Sequence, residues 1–553
     1  LLYQEGTNFY IAGVKADGTL YSTGVLAHEP SMRTIKEISA IKAQNAKAFY
    51  NSMETQAKAN KVRREPMTPD NSLLPSLGKH KIPVILVEFS DVEFSVENPK
   101  ATFDKYLNGK ELFNKETDPE MGQNYASVAK YFKDMSFGKF EPEFEVYGPV
   151  NLGKPLATYG AGYSSEENMG LLLTDACTAV DDEVDFTQYD SNDDGNIDLI
   201  YIIYAGFSQS IAGNSTDCIH PKSGYLSLAK SFDGMDVKRY GVNNELNGTP
   251  ADQANGPIIN GIGLFCHEFS HCMGLPDMSD TNYGSTPTMG DWDLLAGGSY
   301  NGPQGIGWCP AGWTSYERAY AGWLELTELK AGDIIKGMTS LEEADGKAYV
   351  IYNDNHKDEY YLLENHKGMG WDKYTPENGL LIIHVDYDKD LFDNNIVNSK
   401  GEFTPAEGYD RYFTNDHPRM APFSRVRSIQ NDTYFYTYPM DAPRGVVDSL
   451  TDTSKPAAEL YNALADGSKL MGKPVYNIEK DDDGNISFTF MTKEKETDAI
   501  QDIAMAEDTT GDDTVYDITG KKAGRIGDIK NGSLKAGIYI IGGKRLQKKV
   551  LMK

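Results

Sequence analysis

The stretch GIGLFCHEFSHCMGLPD, residues 261–277, decides how the rest of the chain is interpreted. It contains the pattern HExxH at His267, Glu268 and His271. On an α-helix, residues four positions apart lie on one face, so both imidazoles can reach one metal ion. The glutamate lies beside them, where it can polarise a water activated by the metal. The sequence therefore predicts a metal-binding helix.

An apolar stripe supports this helix independently. The residues of the stripe, at offsets of three, seven and ten, are Ile262, Phe265, Phe269 and Cys272. This spacing is that of one helix face, opposite the histidines. One side of the helix is therefore predicted to pack into a core while the other carries chemistry.

The end of the helix points to a third ligand. Gly274 permits the left-handed turn that ends many helices, and Pro276 prevents the helix from continuing. The chain can then turn back and present Asp277 to the metal. Two nitrogens and one oxygen, with water in the fourth position, are typical of a catalytic zinc site rather than a structural one. Asp280 is the alternative third ligand.

Composition and charge restrict the class of protein. The chain has 553 residues, 40% of them hydrophobic, which is enough for about two to four domains with substantial cores. The net charge of −29 argues against nucleic acid as a partner and for a soluble surface. No apolar run approaches the roughly 20 residues that span a bilayer. Because the chain starts at Leu1 rather than Met, we expect that a leader has already been removed.

The five cysteines do not indicate a disulfide framework. Their number is odd and no CxxC pair occurs, so at least one thiol is free or paired between chains. Cys266 and Cys272 flank the metal ligands, and we expect both to be small buried hydrophobic residues.

Residues 1–78 are predicted to be a propeptide-like domain and linker. Two strand-like runs surround the turn at residues 16–18, and a polar helical stretch covers about residues 31–64. The Pro-rich segment EPMTPDNSLLPSLGKH follows, a composition that often separates domains. A folded leader ahead of a hydrolytic domain indicates a zymogen, and the alternative is an ordinary N-terminal domain.

Residues 79–328 are predicted to form the catalytic domain. The run KIPVILVEFSD indicates a buried central strand, and helix signals cover about residues 127–134 and 166–180. Glycines and prolines recur from residue 274 to residue 310, as is typical of a cleft wall built from loops. A helix from about residue 314 to residue 324 closes the domain.

The acidic segment DSNDDGNID, residues 190–198, predicts a calcium loop. Its oxygen-bearing side chains and its glycine match most of the spacing of such a loop. Tyr201 occupies the position of the bidentate glutamate, and a strand rather than a helix follows, so the segment is not an EF-hand. The alternative is an acidic turn without metal. The predicted calcium ligands are Asp190, Asn192, Asp194, Asn196 and Asp198.

The remaining sequence indicates two β-rich regions. Short strands and turns across residues 329–495 predict a β-sandwich-like domain. Within it, His384 and Asp386 alternate on one strand, and a hydrogen-bonded structural pair is favoured over a metal site. Residues 496–553 begin as an acidic linker and end in a small β module. The predicted fold class is therefore α+β, with a mixed sheet and an active-site helix, followed by all-β C-terminal domains.

Several blocks of the sequence resemble the immune inhibitor A family of secreted bacterial zinc metallopeptidases, which are related to the metzincins. The blocks, in order, are IPVILVEFSD, YFKDMSFGKF, EVYGPV, DSNDDGNID, CHEFSHCMGLPD and WDLLAGGSYNGP. Weaker similarity continues to about residue 490. The resemblance implies that His267, His271 and Asp277 bind zinc and that Glu268 is the general base and acid. It also implies calcium at the acidic loop.

Two further positions follow from the resemblance. Metzincins place a methionine in a turn beneath the zinc, and this chain has Leu295 where the family usually has methionine. An apolar residue of similar volume can serve as that floor, and Met289 is the alternative. Tyr300 is the candidate for the tyrosine that stabilises the transition state. The tail is similar to C-terminal sorting modules of the type IX secretion route of Bacteroidetes, which implies export to the cell surface or medium.

Together these features predict a secreted zinc-dependent endopeptidase, made as a zymogen, that hydrolyses protein substrates with metal-activated water. The sorting module implies secretion machinery as a further partner. An alternative from a different class is a catalytically weak, peptidase-fold surface protein that binds host proteins or glycans through its β domain. A third hypothesis, a dockerin-like assembly role for the acidic loop, rests on a single copy of that loop.

Overall fold

The computed structural model describes most of the chain. The described residues are 1–5, 8–15, 19–28, 32–44, 69, 73–210, 217–403, 413–428, 433–442, 445–493, 514–517, 521–525, 528, 538–541 and 548–551. The predicted turn at residues 16–18, the helical stretch beyond residue 44, most of the Pro-rich linker and the acidic residues 496–513 lie outside the described residues.

The N-terminal part contains a three-stranded antiparallel sheet and a helix. The strands follow the order β1 (Leu2–Glu5), β2 (Asn8–Val14), β3 (Leu20–Leu26). Helix α1 (Ile35–Lys42) begins after Thr34, whose hydroxyl accepts from the Glu37 N–H while the Glu37 carboxylate accepts from the Thr34 N–H. This reciprocal cap satisfies two backbone donors that the helix itself cannot, and it sets where the helix starts.

A mixed sheet forms the centre of the metal-binding domain. Its order is β5-β4-β7-β9-β6 with parallel pairing throughout, and strand β8 pairs antiparallel with β9. The predicted central strand is β4, which is fully buried from Ile82 to Val87, as parallel strands covered on both faces must be. The strands are β4 (Gly78–Glu88), β5 (Phe140–Asn151), β6 (Asn196–Ile197), β7 (Ile200–Phe207), β8 (Lys222–Phe232) and β9 (Met235–Leu246).

Helices cover both faces of this sheet. Because side chains alternate along a strand, Leu86 of β4 packs in one core and Ile85 in a second core on the opposite face. The first core holds the HExxH helix, and the second holds α5. The helices are α2 (Pro99–Asn108), α3 (Val128–Met135), α4 (Ala157–Ser164), α5 (Glu166–Val180), α6 (Ile262–Cys272) and α7 (Ser315–Tyr320).

The predicted apolar stripe of α6 is buried in an aromatic cluster. Phe265 stacks on Tyr201 with ring centroids 4.0 Å apart, and Phe269 lies 4.8 Å from Phe132 and 5.5 Å from Phe144. Buried aromatic pairs of this kind stabilise a core beyond the area they bury. The packing of this stripe therefore sets the direction in which the opposite, histidine-bearing face points.

The downstream region contains two main sheets around a common core. A five-stranded sheet has the order β10-β12-β13-β14-β17, and a three-stranded sheet has the order β11-β23-β22. The strands of the two sheets are β10 (Thr327–Glu328), β11 (Ile334–Met338), β12 (Tyr349–Tyr352), β13 (Glu359–His366), β14 (Gly379–Asp386), β17 (Met420–Pro422), β22 (Val475–Lys480) and β23 (Ile486–Phe490).

Short hairpins and a terminal sheet complete the described structure. Helix α8 (Lys389–Asp393) follows β14, and four strands at the C-terminus pair in the order β25-β24-β26-β27. The three hairpins are β15 (Gly401–Phe403) with β16 (Phe413–Asn415), β18 (Arg425–Ser428) with β19 (Thr433–Phe435), and β20 (Met440–Ala442) with β21 (Gly445–Val447). The terminal strands are β24 (Thr514–Asp517), β25 (Lys522–Arg525), β26 (Ile538–Ile541) and β27 (Lys548–Leu551).

This architecture confirms the predicted fold class, α+β followed by β-rich regions. All five cysteines are free thiols, and four of them are buried, including Cys266 and Cys272. Among the described residues, no helix has the length and apolar character needed to cross a membrane.

The core around α6 continues past residue 328. Leu362 of β13 and Val397, which follows α8, belong to the same cluster of buried side chains as Phe269. The Trp371 ring lies 4.9 Å from the Tyr131 ring of α3. The domain boundaries at residues 78, 328 and 495 stay predictions, and at residue 328 the packing is continuous.

Replacing Phe269 with alanine tests the role of the aromatic cluster. The variant leaves a cavity beneath the histidine face, and we expect the free energy of unfolding to fall by about 3–5 kcal/mol in denaturant titration. Leu112→Ala is the control, because Leu112 is 48% exposed. Its effect should stay within about 0.5 kcal/mol. Equal effects of the two variants would contradict the packing described.

Candidate metal centre

The start of α6 is held by the loop that faces it. The Ile262 N–H donates to Asn124 Oδ1 at 2.8 Å, and the Gly263 N–H donates to the Gly307 carbonyl at 3.0 Å. A Cβ atom at position 263 would lie 1.9 Å from the Ser299 carbonyl oxygen. Only glycine therefore lets the helix approach this loop so closely.

The end of α6 turns where the sequence predicts. Gly274 has φ +96°, in the left-handed region that favours glycine. The turn brings the Leu275 carbonyl back to the helix, where it accepts from His271 Nδ1 at 2.7 Å. The chain then continues through Pro276 to Asp277, which faces the two histidines.

The three predicted ligands meet at one point. The Nε2 atoms of His267 and His271 lie 3.2 Å apart, and Asp277 Oδ1 lies 3.3 Å from the first and 3.5 Å from the second. Among the described residues, this is the only group of three or more His, Cys, Asp or Glu side chains close enough to share a metal ion. Asp280 lies outside the group, because its carboxylate accepts from the N–H groups of Asn282 and Thr286.

The protonation of the two imidazoles follows from their outer partners. His267 Nδ1 lies 2.9 Å from the Leu294 carbonyl, and His271 Nδ1 lies 2.7 Å from the Leu275 carbonyl. A carbonyl oxygen only accepts, so each Nδ1 carries the hydrogen and each neutral ring presents a bare lone pair at Nε2. When both rings are neutral, two lone pairs and a carboxylate oxygen converge, and such a set requires a cation, either a proton or a metal ion.

The spacing and chemistry of these atoms fit zinc. Ligands about 2.0–2.1 Å from a tetrahedral ion lie roughly 3.3 Å from one another, and the three separations here run from 3.2 to 3.5 Å. Imidazole nitrogen favours zinc over calcium or magnesium, which prefer oxygen alone. The outer carbonyls orient both rings, as partners of metal-binding histidines commonly do.

The pKa values of His267 and Asp277 show that the site favours a positive charge between these side chains. Burial opposes protonation of His267, but hydrogen bonding to Asp277 and the charges of Glu268 and Asp277 outweigh it and raise the His267 pKa to about 9. Burial acts against the Asp277 carboxylate, yet its contacts with His267 and His271 bring the Asp277 pKa well below its usual range. Asp277 is therefore ionised throughout the neutral range.

Glu268 and Tyr300 line the same cleft as the three ligands. Glu268 is 7% exposed, and no described residue forms a hydrogen bond with its carboxylate. Tyr300 is more exposed, and its pKa is raised by partial burial and by the negative charges of Glu268 and Asp277. The phenol therefore keeps its proton at neutral pH and can donate a hydrogen bond.

The predicted floor residue lies in a tight turn behind the histidines. The Leu294 carbonyl accepts from His267, and the Leu295 carbonyl accepts from the Met278 N–H at 2.7 Å. Leu295 and Met289 are both fully buried. The choice between them as the floor beneath the metal stays a prediction.

Sequence reasoning missed a buried carboxyl pair that supports this turn. Asp293 Oδ1 accepts from the Leu295 N–H at 2.7 Å, while Glu317 accepts from the N–H and hydroxyl of Thr314. Burial and the charge of Glu317 raise the Asp293 pKa, and burial also raises the Glu317 pKa. Burial therefore favours the protonated form of both carboxyl groups. In the sequence, the acidic residue Asp293 within the otherwise apolar segment WDLL could have indicated this pair.

The structure does not gather the predicted calcium ligands into a group of three carboxylates. The Asp190 carboxylate accepts from the N–H groups of Asp194 and Gly195, which folds the loop on itself. Asp198 Oδ2 accepts from Ser191, while its buried Oδ1 has no hydrogen-bond partner among the residues that the structure describes. Calcium binding by Asp190, Asn192, Asp194, Asn196 and Asp198 stays a prediction.

The expectation that His384 and Asp386 form a hydrogen-bonded pair is wrong. His384 Nε2 lies 2.8 Å from a Glu359 carboxylate oxygen, and Asp386 accepts from Arg419 at 2.7 Å. Neighbouring strands supply these partners, which the alternation along a single strand does not reveal. Both residues are structural in the described molecule, and neither belongs to a metal-sized group.

The mixed sheet, the HExxH helix and the nearby carboxylate together define a metallopeptidase-type catalytic domain. Comparison with known proteins agrees, since residues 74–324 match the model of the immune inhibitor A peptidase M6 catalytic domain. Residues 74–324 are therefore similar to the catalytic domain of that family.

Two relatives illustrate the similarity. Immune inhibitor A of Bacillus thuringiensis subsp. alesti is 27% identical over 264 residues, which cover 40% of this chain and 37% of that protein. The pre-pro-metalloprotease PrtV of Vibrio cholerae serotype O1 is 24% identical over 271 residues, which cover 43% of this chain and 29% of that protein. The matched segment thus spans about a third of each relative's length.

Asp277→Asn and Asp280→Asn form a matched pair that identifies the third ligand. An amide oxygen is neutral and binds zinc weakly. Loss of an outer hydrogen-bond partner of a ligand lowers metal affinity by up to about 100-fold. Because Asp277→Asn weakens a ligand itself, we expect zinc affinity to fall by more than that. Asp280→Asn should bind zinc as the unmodified protein does. Zinc dissociation constants from competition with a chromophoric chelator measure both, and the reverse pattern would make Asp280 the ligand.

Proposed function

We propose that the chain is a secreted, metzincin-like zinc endopeptidase that hydrolyses protein substrates. The observation that carries this proposal is the convergence of His267 Nε2, His271 Nε2 and Asp277 Oδ1 beside the Glu268 carboxylate in an open cleft. The similarity of residues 74–324 to the peptidase M6 catalytic domain supports peptide hydrolysis as the reaction.

His267, His271 and Asp277 would hold the zinc ion. When bound, zinc supplies Lewis acidity, which polarises a peptide carbonyl and lowers the pKa of a water molecule toward 7. The Leu294 and Leu275 carbonyls keep both imidazoles in the tautomer that this requires. The chain contributes three ligands and leaves a fourth position open, which distinguishes a catalytic site from a structural one.

Glu268 is proposed as the general base and then the general acid. Its carboxylate lies on the helix between the two histidines and lines the cleft. From this position beside the three ligands, the carboxylate can take a proton from water and pass it to the leaving amine. Tyr300 is proposed to donate a hydrogen bond to the oxygen that gains negative charge.

The shape of the cleft supports cleavage within a protein chain rather than at a terminus. The walls come from β8, from the loop after α6 and from the region around α8, and the cleft lies open to solvent between them. Arg239 and Lys222 lie on one wall, while Asp280 and Asp393 lie on the other. An extended peptide segment is therefore the proposed substrate.

Residues 1–78 are proposed to hold the enzyme as a zymogen. Pro69 and Leu73 line the cleft that contains the metal ligands, and a Cβ atom at Gly274 would come within 2.6 Å of the Leu73 side chain. The leader therefore ends against the turn that presents Asp277. The PrtV relative is named a pre-pro-metalloprotease, which supports a precursor form.

Export, calcium and sorting complete the proposal. The acidic net charge of −29 suits a soluble exported protein. Calcium at the Asp190 loop is supported by the buried Asp198 oxygen that lacks a partner. The C-terminal strands would form the sorting module that the secretion machinery recognises.

The alternative, an inert surface binding protein, is disfavoured because the four reacting groups share one cleft.

Glu268→Gln tests the chemistry without removing a ligand. The amide cannot accept the water proton, so we expect casein hydrolysis to fall by about 10²- to 10⁴-fold while zinc stays bound in a one-to-one ratio. Glu143→Gln, an exposed glutamate on β5, is the matched control and should keep full activity. Chelation of zinc should abolish hydrolysis, and added zinc should restore it. Unchanged hydrolysis by Glu268→Gln would refute the mechanism.

Cleavage of the Pro-rich linker tests the zymogen proposal. Limited proteolysis between residues 65 and 72 frees the leader from the cleft, and we expect kcat/KM for a fluorogenic peptide to rise while zinc content is unchanged. A linker variant that the activating protease cannot cut is the control and should stay at the precursor rate. Equal rates before and after cleavage would show that residues 1–78 are an ordinary N-terminal domain.

A further inference from the structure

Asn395, a residue of the downstream β region, forms two hydrogen bonds with Asp277, the proposed third ligand. Asn395 follows α8, and its side-chain amide contacts Asp277 twice across 118 positions of sequence. Asn395 Oδ1 accepts from the Asp277 N–H at 2.6 Å, and Asn395 Nδ2 donates to Asp277 Oδ2 at 2.8 Å. One amide therefore holds both the backbone and the carboxylate of a single residue.

The chemistry of the partners sets the orientation of this amide. A backbone N–H only donates, so it must face the amide oxygen, and an ionised carboxylate only accepts, so it must face the amide nitrogen. The charge-assisted bond to the carboxylate is the stronger type of hydrogen bond. With Asp277 Oδ2 held outward, Oδ1 is the oxygen that points toward His267 and His271.

The backbone of Asn395 adopts a left-handed conformation that suits its two contacts with Asp277. Its φ is +56°, in the left-handed region that asparagine tolerates better than most residues. The turn that produces this conformation is closed by two hydrogen bonds, from the Asn395 N–H to the Phe392 carbonyl and from the Ile396 N–H to the Leu391 carbonyl. The side chain thus leaves α8 in the direction of the cleft.

Neighbouring contacts join the same two segments. Thr281 Oγ1 donates to the Asn395 carbonyl at 3.1 Å and lies 2.8 Å from Ser399 Oγ. The buried Asn398 donates through Nδ2 to the Met278 carbonyl at 2.8 Å. The loop that carries Asp277 is therefore connected along residues 277–281 to residues 395–399 of the downstream region.

We propose that Asn395 is a positioning residue for the metal site, so that the downstream β region completes the geometry of the third ligand. This inference rests on the proposed function in that it takes Asp277 to be a zinc ligand. In the absence of the Asn395 amide, the Asp277 carboxylate can rotate, and its loop loses two of the hydrogen bonds that connect it to residues 395–399. Zinc is then held by two well-placed ligands and one mobile one.

Two substitutions at Asn395 separate the amide from the backbone. Asn395→Asp keeps the size and tolerates the left-handed conformation, but it places a carboxylate oxygen against Asp277 Oδ2. Asn395→Gly keeps the backbone conformation without strain and removes the amide altogether. The matched control is Asn477→Asp, at another left-handed asparagine, φ +52°, on β22.

The experiment measures the zinc dissociation constant of the full-length protein by competition with a chromophoric chelator. Loss of an outer hydrogen-bond partner typically costs about 10- to 100-fold in metal affinity, and we expect weakening of this size for Asn395→Asp and Asn395→Gly. Asn477→Asp should bind zinc as the unmodified protein does. The visible spectrum of the cobalt(II) form should also change for the Asn395 variants, and excess zinc should restore their peptidase activity.

Each result decides between the two proposals. Wild-type zinc affinity in Asn395→Gly would overturn the positioning role, even with Asn395→Asp weakened, because only the introduced charge would then matter. If Asn395→Asp does not fold, Asn395→Gly decides alone. A protein that binds zinc in an Asn395-dependent manner but cleaves no substrate would refute the peptidase proposal and leave the positioning role intact. Failure of the unmodified protein to bind zinc would refute both.

Discussion

The structure depends on three electron-pair donors that are held within 3.2 to 3.5 Å of one another. Two imidazole lone pairs and a carboxylate repel one another unless a cation lies between them, and the surrounding fold holds them close together. The Leu294 and Leu275 carbonyls impose the tautomers, and the aromatic packing of α6 imposes the direction of its histidine face. Part of the stability that the core provides therefore offsets the repulsion between these three groups.

Support for the site comes from parts of the chain that lie far apart in sequence. Residues near 293–295 form the turn behind His267, and Asp293 stabilises this turn by accepting from the Leu295 N–H. On the opposite side, residues 395–399 hold the loop that carries Asp277. Because one core cluster contains side chains from both sides of residue 328, the downstream sheets act as a wall of the cleft rather than a separate attachment.

The sequence predicted the local features of the fold and site well, because short-range spacing determines them. The HExxH helix, its apolar face, the turn at Gly274 and the central strand β4 each follow from periodicity or backbone preference within a few residues. Asn395 was not predictable in this way, since nothing in the sequence near residue 395 indicates that its amide meets Asp277. The partners of His384 were missed for the same reason, because neighbouring strands supply them.

X-ray absorption at the zinc edge of the full-length protein tests the central claim most directly. The arrangement of His267, His271 and Asp277 predicts a first coordination shell of nitrogen and oxygen only, at about 2.0–2.1 Å, with outer-shell scattering from two imidazole rings. His271→Ala should reduce the imidazole count to one or release the metal. A shell that contains sulfur, or one with no imidazole contribution, would contradict the account.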